Sequence, residues 1–330
     1  MKDIVLIVSN AKENSVSPIV SQLEKMGEKF YRFDTETFPT SKEAKISFSG
    51  SIMSLSGYLK SGEDRVDLQR VKSVWYRKPA GPLADKKLNG IYREFAEEES
   101  RAFLWSFYTA TNEILWVNPP LISRYLLEHN KLYQLKVASS VGLKVPDTLL
   151  TNSPNELRDF FNENNGFIVV KTLKPAFVEF NKGKPFFVYT NKVSSEHLNK
   201  YIEEVRLAPV LAQTYIKKKV ELRVTIVKDK VFSCAIYSQD SPRTLHDWRK
   251  YDFSRVKHEP YKLPIEVESR LLELMRRWGL YFGAIDMILT PDNEYVFLEI
   301  NPNGQWGWIE ALTRMPITKS LAELLATGKP

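Results

Sequence analysis

Two predominantly apolar segments, residues 283–289 and 295–301, lie near the C-terminal end of the chain with turn-forming residues between them. This pattern predicts an antiparallel hairpin in a buried sheet. Asp286 interrupts the first segment, and Glu299 and Asn301 lie two positions apart in the second. Because side chains alternate between the faces of a strand, Glu299 and Asn301 are expected on the same face.

Oxygen-bearing side chains inside an apolar sheet are unfavourable unless hydrogen bonds or a cation satisfy them. Mg²⁺ takes a few carboxylate oxygens and completes its shell with water and phosphate. Asp286, Glu299 and Asn301 are therefore predicted to be metal ligands. The alternative is that the acids lie on an edge strand in solvent, which is the better explanation for one acid and the weaker one for the whole set.

The chain begins with a strand, a helix from Ser17-Pro18 to Gly27 and a second strand, which predicts a small open α/β lobe. No glycine-rich dinucleotide loop follows the first strand, and this disfavours a nicotinamide cofactor. A later strand runs into Arg77 and Lys78. These two cations either bind an anion or form a surface charge pair, and their spacing does not decide between the two.

Further along the chain, helical patterns cover residues 88–112 and 123–140. The first is long and aromatic, which makes it a candidate for packing against another subunit, although burial in the core is the commoner reason. Residues 175–184 are predicted to form a mobile loop. The patterns divide the chain into an N-terminal α/β lobe and two further lobes, at residues 1–119, 120–208 and 209–330.

The composition of the 330 residues is that of an ordinary globular protein, with a net charge of +7 and no apolar run long enough to span a bilayer. A single cysteine, Cys234, excludes an intrachain disulfide and fits a reducing cytosol. Four histidines and one cysteine make a zinc site improbable. The charge is too mild, and too little clustered, to require nucleic acid.

Cations upstream of the predicted metal site suggest a bound polyanion. Lys171 ends a strongly apolar strand, so its ammonium must reach solvent or meet an anion. Lys131 lies on the preceding helix near a lobe boundary. Glu221 and Arg223 share one strand face, where arginine suits a bidentate grip on phosphate. The alternative for Glu221 and Arg223 is an ordinary cross-strand ion pair.

In combination, these features resemble the ATP-grasp superfamily over about residues 120–315, which implies an α/β ATP-grasp fold that clasps ATP and Mg²⁺. Residues 213–216 resemble the linker strand that holds adenine, and residues 221–224 resemble the acid-x-Arg-Val strand. The resemblance assigns nucleotide binding to Lys131, Lys171, Gln213, Tyr215, Ile216, Glu221 and Arg223, and metal binding to Asp286, Glu299 and Asn301.

A narrower resemblance rests on residues 301–310, with Trp306 and Trp308, on residues 75–79 and on the Asp-Trp-Arg triplet at 247–249. These segments are similar to those of the microviridin-type peptide maturases, or graspetide macrocyclases. The resemblance implies that an Asp or Glu side chain of a ribosomal precursor peptide is activated as an acyl phosphate. That carboxyl is then joined to a Ser or Thr hydroxyl as an ω-ester, or to a Lys amine as an ω-amide.

The same resemblance suggests roles for several side chains. Arg223 is expected to hold the γ-phosphate, Arg249 to grip a core carboxylate, and Asp247, or less favourably His246, to act as base. The implied partner is a leader-plus-core precursor peptide, and the protein is expected to be a cytoplasmic homodimer. The alternatives are a ligase of small substrates or protein C-termini, like glutathione synthetase or the glutamate-adding enzymes, and a non-catalytic ATP-binding module.

Overall fold

The computed structural model describes residues 2–128, 130–173 and 190–329, together with the backbone of two short strands at 177–178 and 186–187. The loop predicted at 175–184 otherwise lies outside the described residues. Within these ranges, no helix has both the length and the apolar character needed to cross a membrane.

The strands, in chain order, are β1 (Ile4–Ser9), β2 (Lys29–Asp34), β3 (Glu43–Ser49), β4 (Ser54–Ser61), β5 (Asp64–Asp67), β6 (Val71–Tyr76), β7 (Leu115–Val117), β8 (Thr148–Thr151), β9 (Ile168–Lys171), β10 (Phe177–Val178), β11 (Phe186–Phe187), β12 (Asn191–Lys192), β13 (Val210–Thr214), β14 (Val220–Val227), β15 (Lys230–Ile236), β16 (His258–Pro260), β17 (Phe282–Leu289) and β18 (Tyr295–Asn301). The α-helices are α1 (Val16–Lys25), α2 (Gly90–Ala110), α3 (Lys131–Ser140), α4 (Pro154–Glu163), α5 (Ser195–Tyr201), α6 (Ile265–Arg277), α7 (Gly307–Thr313) and α8 (Ile317–Thr327).

The first lobe is built on a parallel sheet of order β2-β1-β6-β7. Every residue of β1 is buried, because helices cover both faces of the sheet. Val5 and Ile7 pack with α1 and α8, and Leu6 and Val8 pack with α2. The strand-helix-strand opening predicted from the pattern is confirmed.

The second lobe carries an antiparallel sheet of order β12-β9-β13-β8, covered by the apolar faces of α4 and α5. The third lobe carries a five-stranded antiparallel sheet of order β16-β15-β14-β17-β18. The predicted hairpin is its β17–β18 pair, in which Asp286 lies opposite Glu299. A bulge follows, because Met287 then pairs with Phe297, so Leu298 has no partner of its own.

The single helix predicted over residues 123–140 is wrong. The chain forms a π-helical segment, Leu121–Leu127, and then begins α3 at Lys131. The side chain of Asn130 accepts a hydrogen bond from the Tyr133 N–H at 3.1 Å and so caps the new helix. Because a new helix begins here, Lys131 occupies the first turn of α3 and not the middle of a longer helix.

The last helix returns to the first lobe. The α8 helix packs against α1 and β6, and the Ser73 hydroxyl donates to the Leu325 carbonyl at 2.7 Å. Residues from β1, α1, β17 and α8 share one hydrophobic cluster. The first and third lobes are therefore joined by a continuous core, which fixes the positions of their two sheets relative to each other.

Candidate active site

A row of charged side chains crosses the central strands of the third lobe. Arg223 on β14 lies opposite Asp286 on β17, which lies opposite Glu299 on β18. Arg223 Nη1 donates to Asp286 Oδ1 at 2.9 Å, and Lys131 Nζ lies 2.8 Å from Glu299 Oε2. The sequence places Asn301 on the same face two residues further along. The structure thus brings together the predicted metal ligands and two of the predicted phosphate-binding cations.

The pKa values of Asp286 and Glu299 shift in opposite directions in this environment. Burial raises the pKa of Asp286; Arg223 opposes this shift, and the charge of Glu299 adds to it. Burial also acts to raise the pKa of Glu299, but the nearby Lys131 and Lys171 ammonium groups outweigh it and lower that pKa to about 2. Two neighbouring carboxylates in a partly buried site therefore repel one another, and additional positive charge between them is favourable.

This donor set fits a divalent cation. Asp286 and Glu299 offer carboxylate oxygens and Asn301 an amide oxygen, which are the ligand types that Mg²⁺ prefers. No group of three His, Cys, Asp or Glu side chains suited to a metal occurs among the described residues. The chemistry of the set, with few acidic ligands, is that of a Mg²⁺ site completed by phosphate and water, in which Asp286, Glu299 and Asn301 would hold the ion.

Gln134 explains why Lys131 reaches Glu299, although nothing in the sequence pattern distinguished this residue. Its side chain is buried, donates to the Ile300 carbonyl at 3.1 Å and accepts from the Ile300 N–H at 2.9 Å. This amide pair attaches α3 to β18 beside the predicted ligands. A glutamine that satisfies a strand backbone from a neighbouring helix has no signature of its own in one sequence.

A cavity between the second and third lobes is lined by the predicted linker strand. Gln213, Tyr215 and Ile216 form part of its wall, with Lys171 and His246. Gln213 Oε1 and His246 Nδ1 are buried and have no hydrogen-bond partner among the described residues. Buried polar atoms without partners are unfavourable unless a ligand satisfies them, so this cavity suits a polar planar group such as a nucleobase.

A second cavity continues from the first. Both are lined by Lys171, Thr190, Arg249 and Glu299, and the second also reaches Lys131, Asn301 and Glu128. Burial lowers the pKa of Lys171 to about 8, with Glu299 opposing the shift. A lysine desolvated in this way gains most from an incoming anion. The cleft therefore runs from the linker strand, past Lys171 and Glu299, to Asn301.

Glu221 and Arg223 do not pair with each other. Glu221 Oε1 accepts from Lys218 Nζ at 2.8 Å, and burial raises the pKa of Glu221 against the effect of Lys218. Arg223 does form a cross-strand ion pair, but with Asp286, and its Nη2 also donates to the Gln305 carbonyl at 3.3 Å. Both residues lie at the cleft, so their predicted roles toward the nucleotide stay predictions.

Asp247 is buried beside the cleft and accepts several hydrogen bonds. Its Oδ2 accepts from the Thr190 N–H at 3.0 Å, and its carboxylate takes a fork of bonds from Arg249 Nε and Nη2 at 2.8 and 2.5 Å. Burial alone would raise the pKa of Asp247, but the hydrogen bonds from Arg249 outweigh burial, so the pKa lies below its usual value. These contacts suit an anchor for Arg249. The role of Asp247 as base remains a prediction. The lowered pKa makes this carboxylate a weak base.

Arg77 is neither an exposed charge nor a free anion site, which corrects both interpretations of its pattern. It is 1% exposed. Its Nη1 donates to the Asn303 carbonyl at 2.7 Å, and its Nη2 donates to Gln305 Oε1 at 2.8 Å and lies 3.3 Å from Glu13 Oε1. The guanidinium therefore clamps the loop after β18 onto the first lobe.

The loop held by this clamp passes close to the charged row. A Cβ atom on Gly304 would lie 2.3 Å from Ala284 Cβ and 2.9 Å from Arg223 Nη2, so only glycine fits. Of the two tryptophans that follow, Trp306 is buried in the core against Trp75, and the partly buried Trp308 stacks on Trp248 at 5.0 Å. The tryptophans of this motif thus fasten the loop and the Asp-Trp-Arg triplet beside the cleft.

Asn118 makes a similar connection and was also missed by the sequence pattern. Its Nδ2 donates to the carbonyls of Phe282 and Pro302 at 2.8 and 2.9 Å, and its Oδ1 accepts from the N–H groups of Tyr281 and Phe282 at 2.9 and 3.0 Å. Every hydrogen-bonding position of this buried amide is used. It attaches the end of the first lobe to the start of β17 and to the residue that follows β18.

Two family models match the chain. The MvdD pre-ATP grasp domain matches residues 4–124, and the RimK-like ATP-grasp domain matches residues 128–325. Among curated proteins, an alpha-aminoadipate–LysW ligase, LysX, from Sulfurisphaera tokodaii is 24% identical over 179 residues, 52% of this chain. The match spans only 58% of the length of that ligase.

Solved structures match almost the whole chain. The macrocyclase MdnC from Microcystis aeruginosa MRC, crystallised with its precursor peptide MdnA, is 33% identical, with a TM-score of 0.84 and coverage of 98% of this chain and 99% of that one. An ATP-grasp ligase associated with ribosomal peptides from Chryseobacterium gregarium, in complex with ADP and a leader and core peptide, is 29% identical, with a TM-score of 0.89 and coverage of 99% and 98%.

These matches confirm the ATP-grasp fold inferred from the order of the lysines, the linker strand and the late acids. The likeness extends through the first lobe, which lies outside the RimK-like region. A cleft with unpartnered polar atoms at one end and paired acids and cations at the other agrees with this fold. The chain therefore belongs to the RimK-like ATP-grasp ligases, with an MvdD-type pre-ATP-grasp domain preceding the ligase domain.

Proposed function

We propose that the protein is an ATP-dependent macrocyclase of a ribosomally made precursor peptide, joining Asp or Glu side chains to Ser or Thr hydroxyls or to Lys amines. The observation that carries this proposal is the likeness to MdnC, which spans 98% of this chain and 99% of that macrocyclase. A shared nucleotide-binding half alone would support only a ligase. The likeness to MdnC also covers the first lobe, which lies outside the RimK-like region and matches the MvdD pre-ATP grasp domain.

The reaction begins with a carboxylate of the peptide, which is a poor electrophile because its charge is delocalised. Its oxygen attacks the γ-phosphorus of ATP, the bond to the β-phosphate oxygen breaks, and ADP leaves. Catalysis of phosphoryl transfer is mainly positioning and charge stabilisation. In this proposal Lys131, Lys171 and Arg223 bind the phosphates, and Gln213, Tyr215, Ile216 and Glu221 bind the nucleoside.

Asp286, Glu299 and Asn301 would hold Mg²⁺, which supplies positive charge to the phosphoryl oxygens when bound. The ion pairs that Arg223 and Lys131 form with these acids keep the cations at the same place. The side chains on α3, β14, β17 and β18 are therefore already gathered for a triphosphate, and little rearrangement of the backbone is required.

The second half of the reaction forms the ring. A hydroxyl or amine of the same bound peptide attacks the acyl carbon, the bond to the phosphate oxygen breaks, and inorganic phosphate leaves with a proton passing to a base. Because both groups belong to one bound chain, proximity supplies much of the rate. Arg249, oriented by Asp247, is proposed to bind a core carboxylate at this end of the cleft.

A second candidate is a ligase that adds an amino acid to a small substrate or to a protein. It is favoured by the curated matches, LysX and two probable alpha-L-glutamate ligases that are 25% identical over 199 residues. These matches cover 58% and 62% of the relatives' lengths, whereas the likeness to MdnC covers nearly all of both chains. Phosphate release from ATP with free amino acids, and none with peptide, would favour this ligase over the macrocyclase.

A homodimer in the cytoplasm remains part of the proposal. Ile91, Tyr92 and Phe95 on α2 are 82%, 72% and 66% exposed, and so offer an apolar surface for a second copy. Light scattering of the purified protein after size exclusion measures the mass of the assembly. A monomer at micromolar concentration would remove the dimer from the proposal without affecting the chemistry.

The central test is to search beside the gene for a short open reading frame rich in Ser or Thr and Asp or Glu, to incubate the purified protein with that candidate peptide, and to analyse the peptide by mass spectrometry. One water is expected to be lost for each ring, and only with ATP present. Fragmentation would then place each bond between an acid and a Ser, Thr or Lys. Unchanged peptide mass, with purified protein that still binds ATP, would contradict the macrocyclase assignment.

A further inference from the structure

Glu128 is an acid of the cleft that takes no part in the proposed nucleotide and metal binding. It directly follows the π-helical segment Leu121–Leu127, and it lines the second cavity together with Lys131, Arg249 and Asn301. Its side chain is exposed to solvent. The second cavity therefore contains one carboxylate beyond those assigned to the metal and the phosphates.

A bridge between backbone groups fixes the position of Glu128 beside the predicted metal ligands. Gln134 Nε2 donates to the Leu127 carbonyl at 2.7 Å and to the Ile300 carbonyl at 3.1 Å. Leu127 directly precedes Glu128, and Ile300 lies between the two predicted ligands of β18. The Glu128 N–H also donates to the Ser123 carbonyl at 3.1 Å, in the π-helical pattern that is frequent at functional sites. One buried amide thus holds Glu128 and the ligand strand side by side.

Glu128 differs from the other acids of the cleft in having no cation beside it. Among the described residues, every other acid that lines the two cavities forms an ion pair: Glu221 with Lys218, Asp247 with Arg249, Asp286 with Arg223 and Glu299 with Lys131. Glu128 forms no ion pair with any described residue. A carboxylate that is paired with a cation accepts a proton less readily, so Glu128 is the acid of the cleft best suited to accept one.

Ring closure releases a proton that a base close to the acyl carbon must take up. Both oxygens of Asp247 already accept hydrogen bonds, from the Thr190 N–H and from Arg249. His246 lines the first cavity, beside the linker strand, and not the second. Arg249, which is proposed to bind a core carboxylate, lines the second cavity together with Glu128. A peptide bound there brings its reacting groups into the cavity that holds Glu128.

We propose that Glu128 is the general base of ring closure. The hydroxyl oxygen of Ser or Thr, or the amine nitrogen of Lys, bonds to the acyl carbon while its proton passes to the Glu128 carboxylate. The bond from the acyl carbon to the phosphate oxygen breaks, and phosphate leaves with the electron pair. Because Glu128 is exposed, its proton then passes to solvent and the carboxylate is restored. This inference rests on the macrocyclase function and adds a catalytic residue to its second half.

The test separates activation of the peptide from ring closure. The full-length protein is incubated with ATP, Mg²⁺ and the peptide from which the wild type removes water, with and without hydroxylamine. Hydroxylamine attacks an acyl phosphate as a neutral amine and needs no base beforehand, so the hydroxamate measures activation and the loss of water measures ring closure. Mass spectrometry follows both products for the wild type, Glu128→Gln and the matched control Glu24→Gln, which changes an exposed acid on α1 that lines neither cavity.

Glu128→Gln is expected to slow ring closure about 10²–10⁴-fold, the usual contribution of a general base, and to leave hydroxamate formation unchanged. Glu24→Gln should behave as the wild type in both measurements. An equal loss of both products in Glu128→Gln would assign this acid to nucleotide or metal binding and overturn its role as base. Ring closure at the wild-type rate in Glu128→Gln would overturn that role as well.

Glu128→Ala supplies a second, independent measurement. Removal of the side chain leaves space at an exposed position, where formate can enter and act as the base. Sodium formate should therefore raise the rate of ring closure by Glu128→Ala in proportion to its concentration, whereas sodium chloride at the same ionic strength should not. A rate that formate leaves unchanged would show that Glu128 only positions the peptide, and would overturn the proton transfer. If the wild type itself removes no water from any candidate peptide, the macrocyclase assignment fails, and the role of Glu128 fails with it.

Discussion

Two polar clusters lie on either side of the loop after β18, and they are satisfied to different degrees. In the clamp, the buried guanidinium of Arg77 is bonded to Asn303, Gln305 and Glu13. In the cleft, Gln213 Oε1 and His246 Nδ1 have no partner among the described residues, and Lys171 forms no ion pair there. Both clusters contain buried charge or polarity, but only the clamp is complete.

The difference in hydrogen bonding indicates that the clamp serves stability and the cleft serves ligand binding. A buried polar group that is fully hydrogen-bonded stabilises the arrangement that satisfies it, whereas one left without partners is unfavourable until something else satisfies it. Removing a side chain from the clamp should therefore lower stability, and removing one from the cleft should lower binding or turnover with little effect on stability.

Arg77→Met should give the largest effect, since it leaves Glu13 and the carbonyls of the loop buried without their cation. Breaking a buried ion pair of this kind costs about 3–5 kcal/mol in the free energy of unfolding. Equilibrium urea denaturation followed by tryptophan fluorescence measures the loss. Arg206→Met removes the cation of an exposed pair with Glu203 and is the matched control, which should change the unfolding free energy little.

If Arg77→Met were as stable as the wild type, the clamp would be a surface contact after all, and the contrast between the two clusters would be lost.

Glu299→Gln should show the opposite behaviour. It keeps the shape of the side chain and removes the charge that faces Asp286 and Lys131, so ATP-dependent turnover should fall about 10²–10³-fold. The unfolding free energy should fall by less than it does in Arg77→Met, because removing the charge of Glu299 also removes its repulsion of Asp286 and so partly offsets the lost pairing with Lys131. Turnover is measured as ADP release with the precursor peptide present.

The matched control for this variant is Glu294→Gln, which removes an acid from the same hairpin where it pairs with Lys144 at the surface. It should have wild-type turnover. A Glu299→Gln protein that turned over normally would contradict the assignment of the charged row to the phosphoryl-transfer site.

Cys234 tests the core that both clusters depend on, and at neutral pH its effect should be the smallest. Burial raises the pKa of this thiol from 9.0 to about 12. The native thiol should therefore resist a thiolate-selective disulfide reagent at pH 8, while the urea-unfolded protein should react at once. Rapid reaction of the native protein would show that the shared core opens readily.

The raised pKa of Cys234 also makes the free energy of unfolding depend on pH. The folded state holds this proton more tightly than the unfolded state, so the contribution is complete below pH 9 and is lost as the pH rises toward 12. Relative to Cys234→Ala, the unfolding free energy of the wild type should fall by about 1.4 kcal/mol more for each pH unit in that window. Urea titrations at several pH values measure the two slopes, and equal slopes would contradict the buried thiol.

The hairpin carrying the acids was predictable because its information is local. Apolar residues, turn residues and a period of two are enough to place Glu299 and Asn301 on one face, and the structure pairs Asp286 with Glu299 across the turn. The bulge at Leu298 was not predictable, since an unpaired residue in an apolar run leaves no mark on the pattern.

The residues that escaped prediction act over long distances. The pattern around Arg77 left an anion site and a surface charge pair both open, since arginine is seldom fully buried; its partners in the loop after β18 lie more than 200 residues away in the chain. Asn118 and Gln134 satisfy strand backbones from another lobe or helix, which no periodicity records. The break before α3 had a local signal, the cap at Asn130, but continuous apolar spacing on both sides concealed it.

The return of α8 to the first lobe has a consequence for biosynthesis. Val5, Ile19 and Leu23 belong to the same hydrophobic cluster as Leu321 and Leu325. A ribosome releases the N-terminal residues long before the C-terminal ones, so one face of the first sheet must wait, incompletely covered, while about 300 residues are translated. Nascent chains of this protein should therefore rely on chaperones until α8 emerges and docks.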